Sequence, residues 1–499
     1  MRLALCTFIM LVICSQVFSA TIYVPDMFPG IQDAINASIG GDTIVVRPGT
    51  YVENIDFVGK IIKLESERGP KVTVIDGNQA GSVVTFQSGE TNDTHLYGFT
   101  IKNGYSSIGG GIYCESSSPS ITNNVISNNV SSKKGGGIYC SNCALIFEFN
   151  EIIENQSNLG GGGIYCYYST AIFRNNVVSQ NTLVDGYGGG IHNDNSNSEY
   201  VNSIISHNSA KNGGGIYMSG NNVSIKNSII AFNSAANVGG GIFCDGDTMD
   251  LLNNTIYGNS GVNGGGITCH TNIIVQLQNS ILWSNSATTG KEINLWNHNG
   301  TPTIKISYSD VEGGIPSIHV DAGCTLDLGV GNIDDDPRFV DALVDDFHLT
   351  WQSPCKDMGS NFLPNLPTED CEGDPRVYYD VVDIGADEFY FHLYHLGDVV
   401  PGGTVDMRVV GPYTYEVILA ISSDTQSPPL STPYGNFYLT LPMSNQWSIG
   451  AISSNGLLEI SPALPWTWIS GEEYYFQALV GDMNWPHSHL TNLMVMNVE

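Results

Sequence analysis

Gly135-Gly-Gly-Ile-Tyr-Cys140 is one of seven near-copies of the same block. Gly-Gly-Gly-Ile stands at 109–112, 135–138, 161–164, 188–191, 213–216, 239–242 and 264–267, so the isoleucine steps are 26, 26, 27, 25, 26 and 25 residues. A fixed period of this size marks a solenoid, with one supersecondary unit per repeat. A second series keeps the same beat through Asn103, Asn129, Asn155, Asn181, Asn208, Asn233, Asn259 and Asn285. From the second of these onward, Asn124, Asn150, Asn176, Ser203, Ser228, Asn254 or Ser280 stands five residues earlier. Three residues before those is a bulky group such as Ile121, Phe147, Phe173 or Tyr200.

Within each unit the apolar residues alternate over short runs, which predicts short strands. The Gly, Asn and Ser content and the β-branched residues disfavour helix. About three strands and three turns per unit make one rung of a parallel β-helix, and rungs stack at roughly 4.8 Å. A buried Asn in a turn can bond to its copies above and below. The triple glycine suits a corner that needs positive φ or close backbone approach. The expected class is all-β, with each apolar face buried only by stacking.

This unit resembles the rungs of right-handed parallel β-helix proteins of the pectin-lyase-like fold. The Gly-Gly-x-Ile and Phe-x-x-Asn pair is similar to the repeats of chlamydial polymorphic outer-membrane proteins. The resemblance covers residues 20–350 and implies architecture more than activity. Ahead of the rungs, Gly30-Ile-Gln-Asp-Ala-Ile-Asn-Ala37 has helical spacing. With Pro48-Gly-Thr-Tyr51 it looks like the opening of many such β-helices. The resemblance implies a capping helix near 30–39 that plugs the open end of the core. Residues 279–389, ending in Asp383-Ile-Gly-Ala-Asp-Glu-Phe389, look like the choice-of-anchor Q segment that closes many secreted bacterial β-helices. That implies surface display and brings no catalytic residues. The expected divisions are a signal peptide over 1–20, a β-helix over 21–350 and an acidic closing segment over 351–396. A β-sandwich is expected over 397–499, where alternating runs are separated by Pro and Gly turns.

Residues 1–20 carry one charge, Arg2, ahead of the apolar run Leu3–Ile13, as a secretory signal does. No later stretch is apolar for long enough to make a transmembrane helix. The predicted location is extracellular or at the cell surface. Net charge is −31, from 49 acidic against 18 basic residues, which disfavours nucleic acid and anionic membrane as partners. Cys114, Cys140, Cys166, Cys244 and Cys269 all lie two residues past a repeat isoleucine and share its inward face. Cys355 and Cys371 are a candidate bridge across a loop.

Three groups of residues invite a functional reading. Tyr113, Tyr139, Tyr165, His192, Tyr217 and Phe243 follow the repeat isoleucines and point outward if those point in. They make either a binding stripe for an extracellular polysaccharide or surface protein, or a ladder that only stabilises itself. His192-Asn-Asp-Asn195 breaks the stripe, beside Asp185 and one rung from Arg174, His207 and Lys211, with Asp194 inside the break. These are ingredients of acid–base chemistry in a polysaccharide lyase or glycoside hydrolase, against the plainer reading of an irregular rung. No pectate-lyase or polygalacturonase signature accompanies them. Asp334, Asp335, Asp336 and Asp341, in a segment with Asp345 and Asp346, offer hard oxygen ligands for Ca2+, or form a solvated acidic loop. No cofactor is required by either reading. The primary expectation is a monomeric, secreted or surface β-helix that binds or builds rather than catalyses.

Overall fold

The computed structural model describes residues 19–220, 222–377 and 381–389, together with strand segments between 393 and 497. The signal segment, apart from its last two residues, lies outside the described residues. Parallel strands run from Thr21–Val24 to Thr325–Leu328 and wind through about 12 turns of a β-solenoid. They form three long parallel sheets, one of 13 strands and two of 11, and a fourth of six. In one rung the chain passes through Ile138–Ser141 in sheet 1 and Ala144–Glu148 in sheet 2. It continues through Glu151–Ile153 in sheet 3 and Gln156–Ser157 in the short sheet 4.

Stacking is in register. Ile112, Ile138, Ile164, Ile191, Ile216, Ile242 and Ile267 pair one above the next in sheet 1 and are fully buried. Two residues on, Cys114, Cys140, Cys166, Asn193, Met218, Cys244 and Cys269 face the same core, as strand alternation requires. Phe147, Phe173 and Tyr200 stack inside sheet 2 with ring centroids 5.0 and 4.8 Å apart. All nine described cysteines are free thiols. The bridge expected between Cys355 and Cys371 is absent, because the Cys355 thiol turns instead to Asp310 Oδ2 at 3.2 Å.

The two asparagine series are the corners flanking sheet 3. Asn129 Nδ2 donates to Ile101 O and to Asn155 Oδ1, each at 3.0 Å, and the pattern repeats through Asn181, Asn208, Asn233, Asn259 and Asn285. The left-handed residue is the one before each ladder position: Asn128, Glu154, Gln180, His207 and Phe232 all have φ near +55°. The triple glycine packs behind this ladder. Gly135 takes φ +65°, and a Cβ on Gly137 would sit 2.9 Å from Gly163 O and 3.0 Å from Asn155 Nδ2.

A short helix, α1 (Ile31–Ala37), buries Ile31, Ala34 and Ile35 against the first strands. Glu53 accepts from the amides of Ile31 and Gln32 at 2.9 Å, and the Lys60 ammonium donates to three carbonyls at the other end. Opposite charges thus meet the two ends of the helix dipole. Beyond Leu328 the parallel stack gives way to an antiparallel pair, Phe339–Asp341 with Asp346–Leu349. The acidic segment that follows folds back along the outside of sheet 3. Ser360 N donates to Asn279 Oδ1 at 2.9 Å, Ala386 N to Thr255 Oγ1 at 3.1 Å and Gly385 N to Asn279 O at 2.9 Å. Ile281, Leu349, Cys355, Ile384 and Phe389 form a second small core there. Arg376 is wholly buried, and its guanidinium donates to the carbonyls of Asp383, Gly385 and Ala386.

From 393 on, strands such as Glu416–Ser422 pair antiparallel with Asn445–Ala451 and Glu473–Gly481. The β-sandwich expected over 397–499 otherwise falls outside the described residues. No helix among the described residues is long and apolar enough to cross a membrane.

Candidate functional site

The residue after each repeat isoleucine does point outward, and the column it makes is continuous. Tyr113 and Tyr139 stack with centroids 5.8 Å apart, and Tyr139 and Tyr165 at 5.6 Å, with planes within 9° and 2°. His192 then turns edge-on, 4.6 Å from Tyr165 and 4.8 Å from Tyr217, and Phe243 follows at 5.2 Å. Exposure divides the column in two. Tyr113 and Tyr139 are half-buried, whereas Tyr165, His192, Tyr217 and Phe243 are buried. The exposed stripe expected from sequence is therefore corrected: the end of sheet 4 and the chain that leads from it to sheet 1 lie over its middle. Tyr187 sits 4.4 Å from Tyr217, and Val238 packs with Tyr217 and Phe243. Tyr187 lies in the stretch between Thr182–Leu183 and Ile191–Asp194, and Val238 ends the sheet 4 strand Ser234–Val238 beyond a register shift, so the repeat pattern registers neither.

The column also runs further than the repeat suggests. Beyond Phe243 it continues through His270 at 5.9 Å to Trp296 and His298, which lie 5.1 and 5.5 Å from His270. Thr268 and Asn294 hold the stripe's own positions in these rungs, so the rings arrive past the strand ends, His270 and Trp296 by one residue and His298 by three. His270 Nδ1 is 3.3 Å from Asp245 Oδ1 yet out of hydrogen-bonding alignment.

At the break in the stripe, Lys134 Nζ donates to the Tyr165 hydroxyl and lies 4.2 Å above its ring centroid. That hydroxyl donates to Asp194 Oδ2 at 2.5 Å, and Ser219 Oγ donates to Asp194 Oδ1 at 3.1 Å. Burial, reinforced by Asp194, raises the Tyr165 phenol far above its ordinary value. Burial also holds the His192 imidazole neutral, pushed down to about 3, with Asp194 pulling the other way and Lys134 adding to the fall. Its Nδ1 has no hydrogen-bond partner among the described residues. The other two candidate acid–base residues lie apart. Arg174 is on sheet 2, half-exposed and paired with Glu148 at 3.3 Å. Asp185 is an exposed partner of Lys211 at 3.0 Å. No described hydrogen bond or ion pair joins either of them to His192.

The acidic loop uses its carboxylates locally. Asp334 Oδ1 accepts from Gly313 N at 2.7 Å, and Asp336 Oδ1 from Arg338 N at 2.9 Å. Asp335 donates its own amide to Asp310 Oδ1 at 3.2 Å, and Asp341 ends the strand Phe339–Asp341. Among the described residues, His348, Glu372 and Asp387 alone bring three potential metal-ligand atoms within 4.8 Å of one another. Sequence spacing does not single them out, since they are 24 and 15 residues apart in a segment with no period. The available signal was a histidine set in the most acidic part of the chain.

A family model described as the Chlamydia polymorphic membrane protein repeat matches residues 125–141. That stretch is the greater part of one rung, from the sheet 3 strand Val125–Ser127 through Asn129, the sheet 4 strand Val130–Lys134 and the triple glycine to the sheet 1 strand Ile138–Ser141. No curated protein matches the chain.

Proposed function

We propose that this protein is a secreted or cell-surface β-helix that binds or builds through its long side, toward an extracellular polysaccharide or a surface protein. The observation that carries the reading is the open end of the aromatic column. Tyr113 and Tyr139 stay half-exposed and stacked, with centroids 5.8 Å apart, on a rigid in-register sheet. Stacked rings on a fixed scaffold make an apolar ridge of ring edges with little entropy left to lose, which suits sugar rings or a partner's side chains. The polymorphic membrane protein repeat supports a surface or outer-membrane setting. The closing segment supports the same setting by its likeness to anchor-type segments, and α1 acts as the cap of the N-terminal end of the core. The buried, neutral His192 and the distant Arg174 lend nothing to a lyase or hydrolase.

The test is retention of the mature protein on immobilised neutral and acidic glycans, comparing the parent with Tyr113→Ala/Tyr139→Ala. Retention that falls at least tenfold in the double variant, with an unchanged far-ultraviolet spectrum, is the expected result. Equal retention removes the column from the reading, and shortening of the glycan chains replaces it with an enzyme.

A further inference from the structure

The partly buried cluster of His348, Glu372 and Asp387 has the form of a site. His348 comes from the strand Asp346–Leu349, Glu372 from the turn after Asp370, and Asp387 from the stretch packed on sheet 3. His348 Nδ1 lies 2.7 Å from Asp346 Oδ1, and its Nε2 lies 2.8 Å from Glu372 Oε2. Asp346 is buried and holds the ring from behind, which leaves Nε2 as the nitrogen that faces Glu372 and Asp387. A carboxylate behind an imidazole is the arrangement that orients metal-bound histidines. Asp387 is 5% exposed; its Oδ2 accepts from Leu349 N at 2.9 Å. Its Oδ1 is buried with no hydrogen-bond partner among the described residues. An orphaned buried carboxylate oxygen is costly unless something positive meets it.

The positive charge that acts on Asp387 is the His348 imidazole itself, which already pairs with Asp346 and Glu372. Asp370, Glu372 and Asp374 all act on this corner, and the one nearby guanidinium, Arg376, donates to backbone carbonyls. A cavity of about 180 Å³ opens beside the three groups, walled by Ile204, Ile229, Phe347 and Ala386.

We propose that His348, Glu372 and Asp387 bind one divalent cation of the zinc class, with the cavity side left for water or a small oxygen ligand. One imidazole nitrogen with two carboxylates suits Zn2+ and its borderline neighbours; Ca2+ takes oxygen ligands in greater number. Three protein ligands with an open fourth position is the coordination that leaves a zinc ion reactive or exchangeable. The ion joins three separate stretches of the closing segment, so it also fixes that segment against the rungs.

The experiment uses the full mature chain, stripped with EDTA, exchanged into chelator-free reducing buffer, and titrated with Co2+ and Zn2+. One Co2+ per chain is expected, with ligand-field bands and no thiolate charge-transfer band, displaced by Zn2+ and not by Ca2+. Asp387→Asn and Glu372→Gln are each expected to weaken Zn2+ binding at least tenfold, measured against a chromogenic competitor. Glu372 is 42% exposed in its side chain, so its variant tests the site even if Asp387→Asn misfolds. Asp336→Asn is the control that leaves binding unchanged. A thiolate band, displacement by Ca2+, no stoichiometric binding, or variants that bind as the parent does would each overturn the proposal.

Discussion

Glu292→Gln is the substitution whose effect follows most directly from the ladder. Glu292 stands where the third glycine of the block would be, in Gly290-Lys-Glu-Ile293. It is fully buried, and its Oε2 accepts from Asn285 Nδ2 at 2.5 Å, the place the next asparagine oxygen would fill. Its Oε1 has no described partner, and burial raises its carboxyl from 4.5 to about 8, with Asn285 pulling it down and Glu312 pushing it further up. The folded state therefore binds a proton more tightly than the unfolded chain does. The stabilisation is complete below pH 4.5, and is lost as pH rises through the interval up to about 8. At about 1.36 kcal/mol per pH unit, the loss at pH 5.5 is about 1.4 kcal/mol and at pH 8.5 about 4.6 kcal/mol. Gln keeps the acceptor for Asn285 and stays neutral throughout. The variant should thus gain about 3 kcal/mol on the parent between pH 5.5 and 8.5, an order-of-magnitude figure for a group of this burial. Urea unfolding followed by far-ultraviolet circular dichroism at those two pH values reads the difference, clear of the isoelectric point near 4.4. Identical pH dependence in parent and variant would refute the reasoning, and would mean that Glu292 is ionised in the folded chain.

Asn181→Ala removes the amide that donates to Ile152 O and Asn208 Oδ1 and the oxygen that accepts from Asn155. With about 1 kcal/mol per lost bond and unsatisfied groups left behind, destabilisation of about 3–5 kcal/mol in the same unfolding experiment is expected; less than 1 kcal/mol would show that the ladder relaxes freely. His192→Phe keeps a ring in the buried column and removes a group whose folded pKa is depressed to about 3. Neutral His192 favours the fold above its ordinary value of 6.5 and loses that advantage as pH falls toward 3, so the variant should resist acid better than the parent, read as the melting temperature at pH 5.5 against pH 7.5.

The rungs were readable because every choice is made seven times over. A lone Gly-Gly-Gly-Ile means little; at a 25–27-residue step it sets register, and register assigns Ile138 and Cys140 to the core and Tyr139 to the outer face. What covers that outer face was not readable, because Tyr187 lies between strands and Val238 beyond a register shift in sheet 4, and the repeat pattern registers neither. The same limit hid the closing segment. Its contacts join residues such as Thr255 and Ala386, 131 positions apart, and no period links them. The acidic residues there were visible as composition. That Asp334 and Asp336 serve turns while Glu372 and Asp387 converge on His348 depends on how the segment folds back.

A polar ladder inside a solenoid must end, and its two ends here are built differently. The corner between sheets 2 and 3 runs on past Ser280 and Ser309, and its last donor is met by Asn332, whose own amide reaches Ile306 O at 3.0 Å. An amide terminates an amide ladder with neutral groups throughout. The corner between sheets 3 and 4 stops earlier, where sheet 4 has already thinned to single bridges at Ser260 and Ser286. With no further asparagine to stack, a side chain has to supply the missing oxygen from within the same rung. Only the third-glycine position faces the ladder from behind, as the closeness of Gly266 to Asn285 Nδ2 shows. A glycine is obligatory there while another rung follows, and becomes replaceable once none does. Glu292 therefore marks the end of this corner's asparagine ladder, and the block that reads as a repeat 26 residues after Ile267 departs from Gly-Gly-Gly where the stack permits it.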